Sequence, residues 1–379
     1  MPADVFFIAG EASGDLQGAL LARELGAAHP AWRFTAAGGQ ALAAAGADVV
    51  IDSTEFAGIG PLMVLAKLPS IYAGYVRLDK LLRARPPRLL VPIDSGSINL
   101  RLLGRLRRRG FRGTVMYYFP PAAWLDYADT ARRTADLAVP VTPFAHQRDF
   151  YRSLGLRIEY FGHPLVSVIE PRPALRRDGG APLVAVLPGS RREEVFYHLP
   201  VLARAAAALV SRLDCRFAIV AASAQREAQI RAAWPRLRGP ERASIERRSV
   251  VDVLADADVA WSASGTAVLE AALREVPQIA FYVTSATQYR LAQRRIPQIV
   301  SGHMTLPNLV LGREIVTELK QHEFTAARLV DESLPLLEND RIRARQVEAY
   351  GELRAALGPP DALARIAEFA TTLVGESDR

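Results

Sequence analysis

Residues 170–187 read EPRPALRRDGGAPLVAVL. Pro171, Pro173 and the pair Gly179–Gly180 break regular structure, which marks Glu170–Pro182 as a linker. Leu183–Leu187 then forms a short, unbroken apolar run. A strand buried on both faces of a parallel sheet reads this way. The same alternation of apolar runs with Ala/Leu/Arg-rich helical stretches occupies both sides of the break. Before it, strands are predicted at Val5–Ile8, Arg33–Ala36, Arg88–Ile93, Thr114–Tyr118, Leu137–Val141 and Ile158–Phe161, with helices at Leu16–Leu25, Leu78–Arg85 and Asn99–Arg109. After it, strands are predicted at Leu183–Leu187, Arg216–Val220, Val259–Ser262 and Ile279–Tyr282, with helices at Leu199–Leu213 and Ala224–Ala233 and a helical stretch over Asp340–Val374. Serial βαβ units on both sides give two α/β, doubly wound domains. The expected layout is 1–169, a linker at 170–182, 183–345, and a helical segment at 346–379 with the option of packing back on the first domain. Ligands of such sheets sit outside the C-terminal strand ends, so the expected site is a central cleft faced by both domains.

Composition narrows the function. The 379 residues fit two domains at roughly 150 residues each. Half are hydrophobic and 23% are charged, which excludes a disordered or collagen-like chain. A lone cysteine, Cys215, excludes an intrachain disulfide and a Cys-rich zinc site, and the histidines form no H-x-x-x-H cluster. The net charge of +7 points to an anionic partner: nucleic acid, a phosphorylated metabolite or a membrane surface. Arg101, Arg105, Arg107, Arg108, Arg109 and Arg112 crowd one helical stretch, and a solvated face is the plain reading. Phe56–Tyr75 is apolar around Lys67. Two readings stand for it, a core helix or an interfacial membrane contact through Leu62, Met63 and Leu65 beside Arg105 and Arg108. No RRM, KH or helix-turn-helix pattern interleaves with the arginines, so no nucleic-acid partner is expected. No uncharged apolar run reaches the length of a bilayer span, and the N-terminus reads as a strand rather than a signal peptide.

Four loops at predicted strand ends carry the chemistry. Gly10-Glu11-Ala12-Ser13-Gly14-Asp15 can bring backbone N–H groups to a ligand, or can be a tight turn capped by Ser13 or Asp15. It is not G-x-G-x-x-G, and no P-loop Gly-Lys-Ser/Thr occurs, which disfavours dinucleotide and ATP binding. Asp94 closes an apolar strand, where a carboxylate can serve as a general base or cap the next helix. Gly189-Ser190-Arg191 opens a helix and suits a diphosphate, whereas Ser190 with Glu193 fits a capping box. Ser264-Gly265-Thr266 opens another helix. It can offer donors to phosphate, with Glu270 one turn on to accept from ribose hydroxyls; a cap with small-residue packing is the alternative. Asp256-Ala257-Asp258 more simply ends a helix than holds a metal.

These strings are similar to those of the lipid-A-disaccharide synthase family, glycosyltransferases of the two-domain GT-B type. The resemblance runs through AGEASGD at 9–15, PID at 92–94, FGHPL at 161–165, LPGSRREEV at 187–195, SASGTAVLE at 262–270 and LPNLVLGREIVTEL at 306–319. It implies a GT-B fold of two Rossmann-like domains. It implies transfer of 2,3-diacylglucosamine from its UDP derivative to the monophosphate acceptor lipid X, with release of UDP and no metal or other cofactor. By position, Asp94 becomes the catalytic base. Gly189, Ser190, Arg191, Ser264, Gly265, Thr266, Glu270, Asn308 and Arg313 become UDP-sugar contacts, and Gly10, Glu11, Ser13, Gly14, Asp15 and His163 become acceptor-side or cleft residues. The resemblance also implies a cytoplasmic protein, peripheral on the anionic inner-membrane surface; a homodimer is left open. The first domain departs from the pattern at Met63, Ser97 and Asp126, where the family has Glu, an acidic residue and Trp. An epimerase-like isomerase acting on UDP-N-acetylglucosamine, a related transferase with another acceptor, and a nonenzymatic binder are the alternatives.

Overall fold

The fold is described from a computed structural model covering residues 3–52, 61–121, 123–172, 180–295 and 302–376; for 61–72, 97, 291–295 and 376 only the backbone is described. The chain divides into two compact units, Met1–Val168 with Leu357–Arg379, and Ile169–Ala356.

The first unit contains β1 (Val5–Ala9), β2 (Phe34–Gly38), β3 (Asp48–Asp52), β4 (Leu89–Ile93), β5 (Thr114–Tyr118), β6 (Val139–Thr142) and β7 (Glu159–Tyr160). They form one sheet in the order β3-β2-β1-β4-β5-β6-β7, and every pair is parallel. Both central strands, β1 and β4, are buried at every position, as their unbroken apolar runs require. Successive side chains of a strand point to opposite faces. Val5 and Phe7 therefore join one core layer with Leu21, Leu25, Ile366, Ala370 and Leu373. Phe6 and Ile8 join another with Leu78, Leu82, Leu103 and Leu106.

The second unit contains β8 (Leu183–Leu187), β9 (Arg216–Val220), β10 (Ala243–Glu246), β11 (Val259–Ala263), β12 (Gln278–Tyr282) and β13 (Thr317–Lys320). These are ordered β10-β9-β8-β11-β12-β13, again all parallel. Its core centres on Trp261, whose indole N–H donates to Ser333 Oγ at 2.8 Å. Asp258 does end the turn after the helix Val250–Asp256, and its carboxylate accepts from the Leu183 N–H at 2.8 Å.

The stretch expected to be helical over Asp340–Val374 is two helices, Asp340–Leu357 and Ala362–Glu376. Gly358 has φ 111°, which a side chain rarely tolerates, and Pro359 and Pro360 cannot donate to a continuing helix. The helix that crosses residue 346 belongs to the second unit, and the one after the break to the first. Residues 173–179 of the expected linker lie outside the described residues, as do Phe56–Gly60 of the apolar stretch. Residues 61–84 form a helix; Leu62, Met63 and Leu65 lie in it, and their side chains are outside the described residues.

Candidate active site

Both sheets reverse their winding once, between β1 and β4 and between β8 and β11. A crevice opens at such a switch point because neighbouring crossovers depart to opposite faces. The loops singled out from the sequence follow those four strands: Gly10–Asp15 after β1, Asp94–Ser97 after β4, Gly189–Arg191 after β8, and Ser264–Thr266 after β11.

In the first unit the two loops touch. A Cβ on Gly10 would lie 2.7 Å from Ser95 Oγ, and one on Gly14 would lie 3.5 Å from Ile93 Cγ2. At position 10 a side chain would displace the Ser95 hydroxyl, so glycine there lets the first turn approach the second this closely, whereas Gly14 leaves room for ordinary contact. Asp94 is exposed, and Asp94 and Ser95 have φ of 47° and 46°. Consecutive left-handed residues without glycine store strain, and such strain collects at functional sites. The turn is held from below. The Asp94 carbonyl accepts from Tyr117 OH at 2.7 Å and from Asn99 Nδ2 at 2.9 Å. Sequence reading missed both positioning residues; a polar side chain in the first turn of a helix and a tyrosine at a strand end carry no signal of their own. Glu11 is the N-cap of the first helix and Ser13 is half-buried beside it.

Asp15 takes another task. Its carboxylate accepts from the Gly39 N–H at 2.6 Å and the Ala41 N–H at 2.8 Å, so it caps the helix after β2 and is buried. His163 is 2% exposed, wedged between the rings of Phe119 and Phe144, with Nδ1 accepting from the Leu165 N–H at 3.2 Å. Burial pushes its pKa down to about 3, so it is a neutral packing group under the strand-end edge. The β5 loop crosses that edge. A Cβ on Gly96 would lie 2.3 Å from Pro121 Cβ, and Gln147 Nε2 donates to the Pro120 and Pro121 carbonyls at 3.1 Å each.

In the second unit, Gly189 has φ 110°, and the helix Arg192–Val210 follows. The capping box is one residue later than the Ser190–Glu193 pair suggested by the sequence. Glu194 Oε2 accepts from the N–H groups of Ser190 at 3.0 Å and Arg191 at 3.1 Å. These donors are already engaged by an internal carboxylate, while the half-exposed Arg191 guanidinium lies 3.4 Å from Glu194 Oε1. The second loop is more open. A Cβ on Gly265 would meet nothing within 4 Å, and the helix Thr266–Leu273 starts there, where first-turn N–H groups have no i−4 carbonyl to bond. Ser264 anchors it, donating its N–H to the Phe281 carbonyl at 2.9 Å. Glu270 lies one turn on, 7% exposed, and among the described residues nothing hydrogen-bonds its carboxyl. Burial raises its pKa to about 7. A buried carboxyl without a partner beside an open helix N-terminus is suited to receive hydroxyls next to an anion.

His198, which the sequence offered only as one of scattered histidines, ties this edge together. It is fully buried, with Nδ1 2.8 Å from the Pro188 carbonyl and Nε2 3.1 Å from the Val283 N–H. Asn308 is also fully buried. Its Oδ1 accepts from the N–H groups of Ile315 and Val316, and its Nδ2 donates to the Val316 carbonyl and to Glu318. Its amide is consumed in shaping the turn before β13. Arg313 is exposed and pairs with Glu352 at 2.6 Å. It borders a cavity of about 420 Å³ with Ile315, Leu336 and Arg345.

The basic stretch is partly internal. Asp79 is fully buried and takes Arg83, Arg105 and Arg109 at 3.3, 3.4 and 3.0 Å. Arg107 donates to the carbonyls of Phe111, Gly113 and Leu137. Arg105 is thus engaged inside the unit, whereas Arg101, Arg108 and Arg112 are exposed. No helix of the described residues is long and apolar enough to cross a membrane.

Two parallel doubly wound sheets, each with its loops at a single switch point, define the GT-B fold of two Rossmann-like domains. Solved structures agree on the fold. A putative UDP-N-acetylglucosamine 2-epimerase from Listeria monocytogenes aligns with TM-score 0.64 at 14% identity, covering 97% of this chain and 95% of that one. The calicheamicin glycosyltransferase CalG4 aligns with TM-score 0.55 at 16% identity, covering 99% of each. Sequence relatives are more specific. The family model for lipid-A-disaccharide synthetase matches residues 5–363. The lipid-A-disaccharide synthase of Geobacter metallireducens is 32% identical over 98% of this chain and 97% of its own length, and that of Syntrophus aciditrophicus is 33% identical over 99% and 98%. The chain belongs to the lipid-A-disaccharide synthetase family, and it is a glycosyltransferase of lipid A biosynthesis.

Proposed function

We propose that the chain transfers 2,3-diacylglucosamine from UDP-2,3-diacylglucosamine to lipid X, 2,3-diacylglucosamine 1-phosphate, with inversion and release of UDP. Asp94 takes the proton from the acceptor's 6-hydroxyl as its oxygen bonds to the anomeric carbon. The bond from that carbon to the UDP oxygen breaks, and its electron pair leaves with the diphosphate. The open N-terminus at Gly265–Thr266 and the Arg191 guanidinium take up that charge without a metal. Glu270 receives the ribose hydroxyls. The observation that carries this reading is the exposed, strained Asp94 turn at one switch point, together with the unpartnered Glu270 and open helix end at the other. The substrates are membrane lipids, so the protein works as a peripheral enzyme on the cytoplasmic face of the inner membrane. The exposed Arg101, Arg108 and Arg112 support contact with its anionic surface.

Incubation with UDP-diacylglucosamine, with and without lipid X, tests the reading. UDP release that requires lipid X, with a disaccharide monophosphate as product, is expected. Isomerised sugar formed without an acceptor would instead make the chain an epimerase.

A further inference from the structure

The loop after β5 ends in a constellation that the proposed reaction has not used. Asp126 has φ 46° and points its carboxylate at His146, with Oδ1 3.0 Å from Nε2. The Trp124 indole stacks nearly parallel on that imidazole, with centroids 5.4 Å apart and planes 12° apart. The His146 and Asp126 side chains are 46% and 50% exposed, so the left-handed backbone is not serving a core. Asp126 is a departure from the family pattern, and the structure gives it a partner, His146.

The cluster is placed rigidly with respect to Asp94. Thr142 Oγ1 donates to Gln147 Oε1 at 2.7 Å, Gln147 holds Pro120 and Pro121, and Pro121 abuts Gly96, two residues from Asp94. Asp94 follows β4, and His146 opens the helix after β6, two strands along the same edge. Parallel strands lie about 4.8 Å apart, so the ends of β4 and β6 that carry the two residues are about 10 Å apart, on the scale of one sugar ring with its substituents. Asp126 occupies one ring nitrogen of His146 and the indole covers one face. That leaves Nδ1 as the ring's outward polar atom. With Nε2–H given to Asp126, Nδ1 carries an N–H only when the ring is doubly protonated, the form that a carboxylate on one side and a phosphate on the other both favour, and that N–H then donates to the anionic oxygen.

We propose that His146, braced by Asp126 and Trp124, binds the phosphate on the acceptor's anomeric carbon while Asp94 addresses the hydroxyl at the opposite end of the sugar. This rests on the acceptor being a glycosyl phosphate, as in the reading above.

The test compares two acceptors, 2,3-diacylglucosamine 1-phosphate and the same sugar without phosphate. His146→Ala and Asp126→Asn should raise KM for the phosphorylated acceptor about tenfold or more, the cost of one hydrogen bond to a charged group. kcat should change little, and kcat/KM for the dephosphorylated acceptor should be unaltered. Equal losses on both acceptors, or none on either, would overturn the proposal. A second readout needs no turnover. Titration with each acceptor, followed by indole fluorescence, should show a response to the phosphorylated form that Trp124→Phe abolishes and His146→Ala weakens. If wild type fails to turn over but the titration behaves as expected, the reaction assigned above is wrong and the phosphate subsite stands. No preference for the phosphorylated form in wild type would overturn the subsite.

Discussion

His198 donates from Nδ1 to the Pro188 carbonyl at 2.8 Å, because its other ring nitrogen accepts from the Val283 N–H at 3.1 Å. One imidazole thereby fixes the end of β8 against the end of β12, directly beneath the Gly189–Arg191 turn. Replacing it with leucine leaves a buried carbonyl and a buried N–H unpaired. His198→Leu is expected to lower stability by about 1–3 kcal/mol and to weaken UDP binding, with little further loss of kcat at saturating donor. Calorimetric UDP titration and urea unfolding read the two effects. Unchanged UDP affinity in a folded variant would remove the positioning role.

Asp94 sits where only the chemistry of the first unit is touched. Asp94→Asn keeps the backbone carbonyl that Tyr117 and Asn99 hold, so the turn should persist. Turnover should fall by about 100-fold or more, the scale of general-base catalysis, while UDP affinity stays at the wild-type value. Turnover near wild type would show that another group removes the proton.

Two buried groups should bend the pH dependence of stability in opposite directions. His163 has its pKa lowered to about 3 from 6.5, so the unfolded chain binds the proton first as pH falls. Its contribution is present above about pH 6.5 and is lost progressively down to about pH 3. Glu270 has its pKa raised to about 7 from 4.5, so the folded chain keeps the proton longer. Its contribution is full below pH 4.5 and is lost as pH rises through 7. Glu270→Gln should therefore gain roughly 1–3 kcal/mol over wild type at pH 8 and nothing at pH 4. His163→Gln should flatten the acid limb instead. Denaturant melts across this range check both slopes.

Asp79 balances arginines from its own helix and from the helix that follows Asp94. Asp79→Ala leaves Arg105 facing the interior without its carboxylate. A loss of about 3–5 kcal/mol is expected, the usual cost of breaking a buried pair from one side. Guanidinium unfolding measures it, and a loss under 1 kcal/mol would mean that solvent reaches the arginines.

The sequence displayed the strands that are buried on both faces and hid three of the four sheet edges; the fourth, β7, was displayed at Ile158–Phe161. β1, β4, β8 and β11 are unbroken apolar runs and stand out by composition. β3, β10 and β13 are the edges that went unseen. Ile51 and Leu319 are the buried residues of β3 and β13, and β10 has none, so no apolar run betrays them. The site divides similarly. Glycine-rich turns after central strands announced all four loops. What each side chain does was not legible, because it depends on partners distant in sequence. Asp15 serves Gly39, Asn308 serves Ile315, and Glu194 rather than Glu193 closes the cap.

The final helix, Ala362–Glu376, completes the first unit's core through Ile366, Ala370 and Leu373. During synthesis, β1 through β7 emerge with one flank bare, and all of Ile169–Ala356 is made before that helix arrives. At roughly 5–20 residues per second this is a wait of about ten seconds or more. The second unit, continuous in sequence, can finish folding first. Until that helix arrives, the nascent first unit carries an uncovered apolar groove along Leu21, Leu25 and Tyr118.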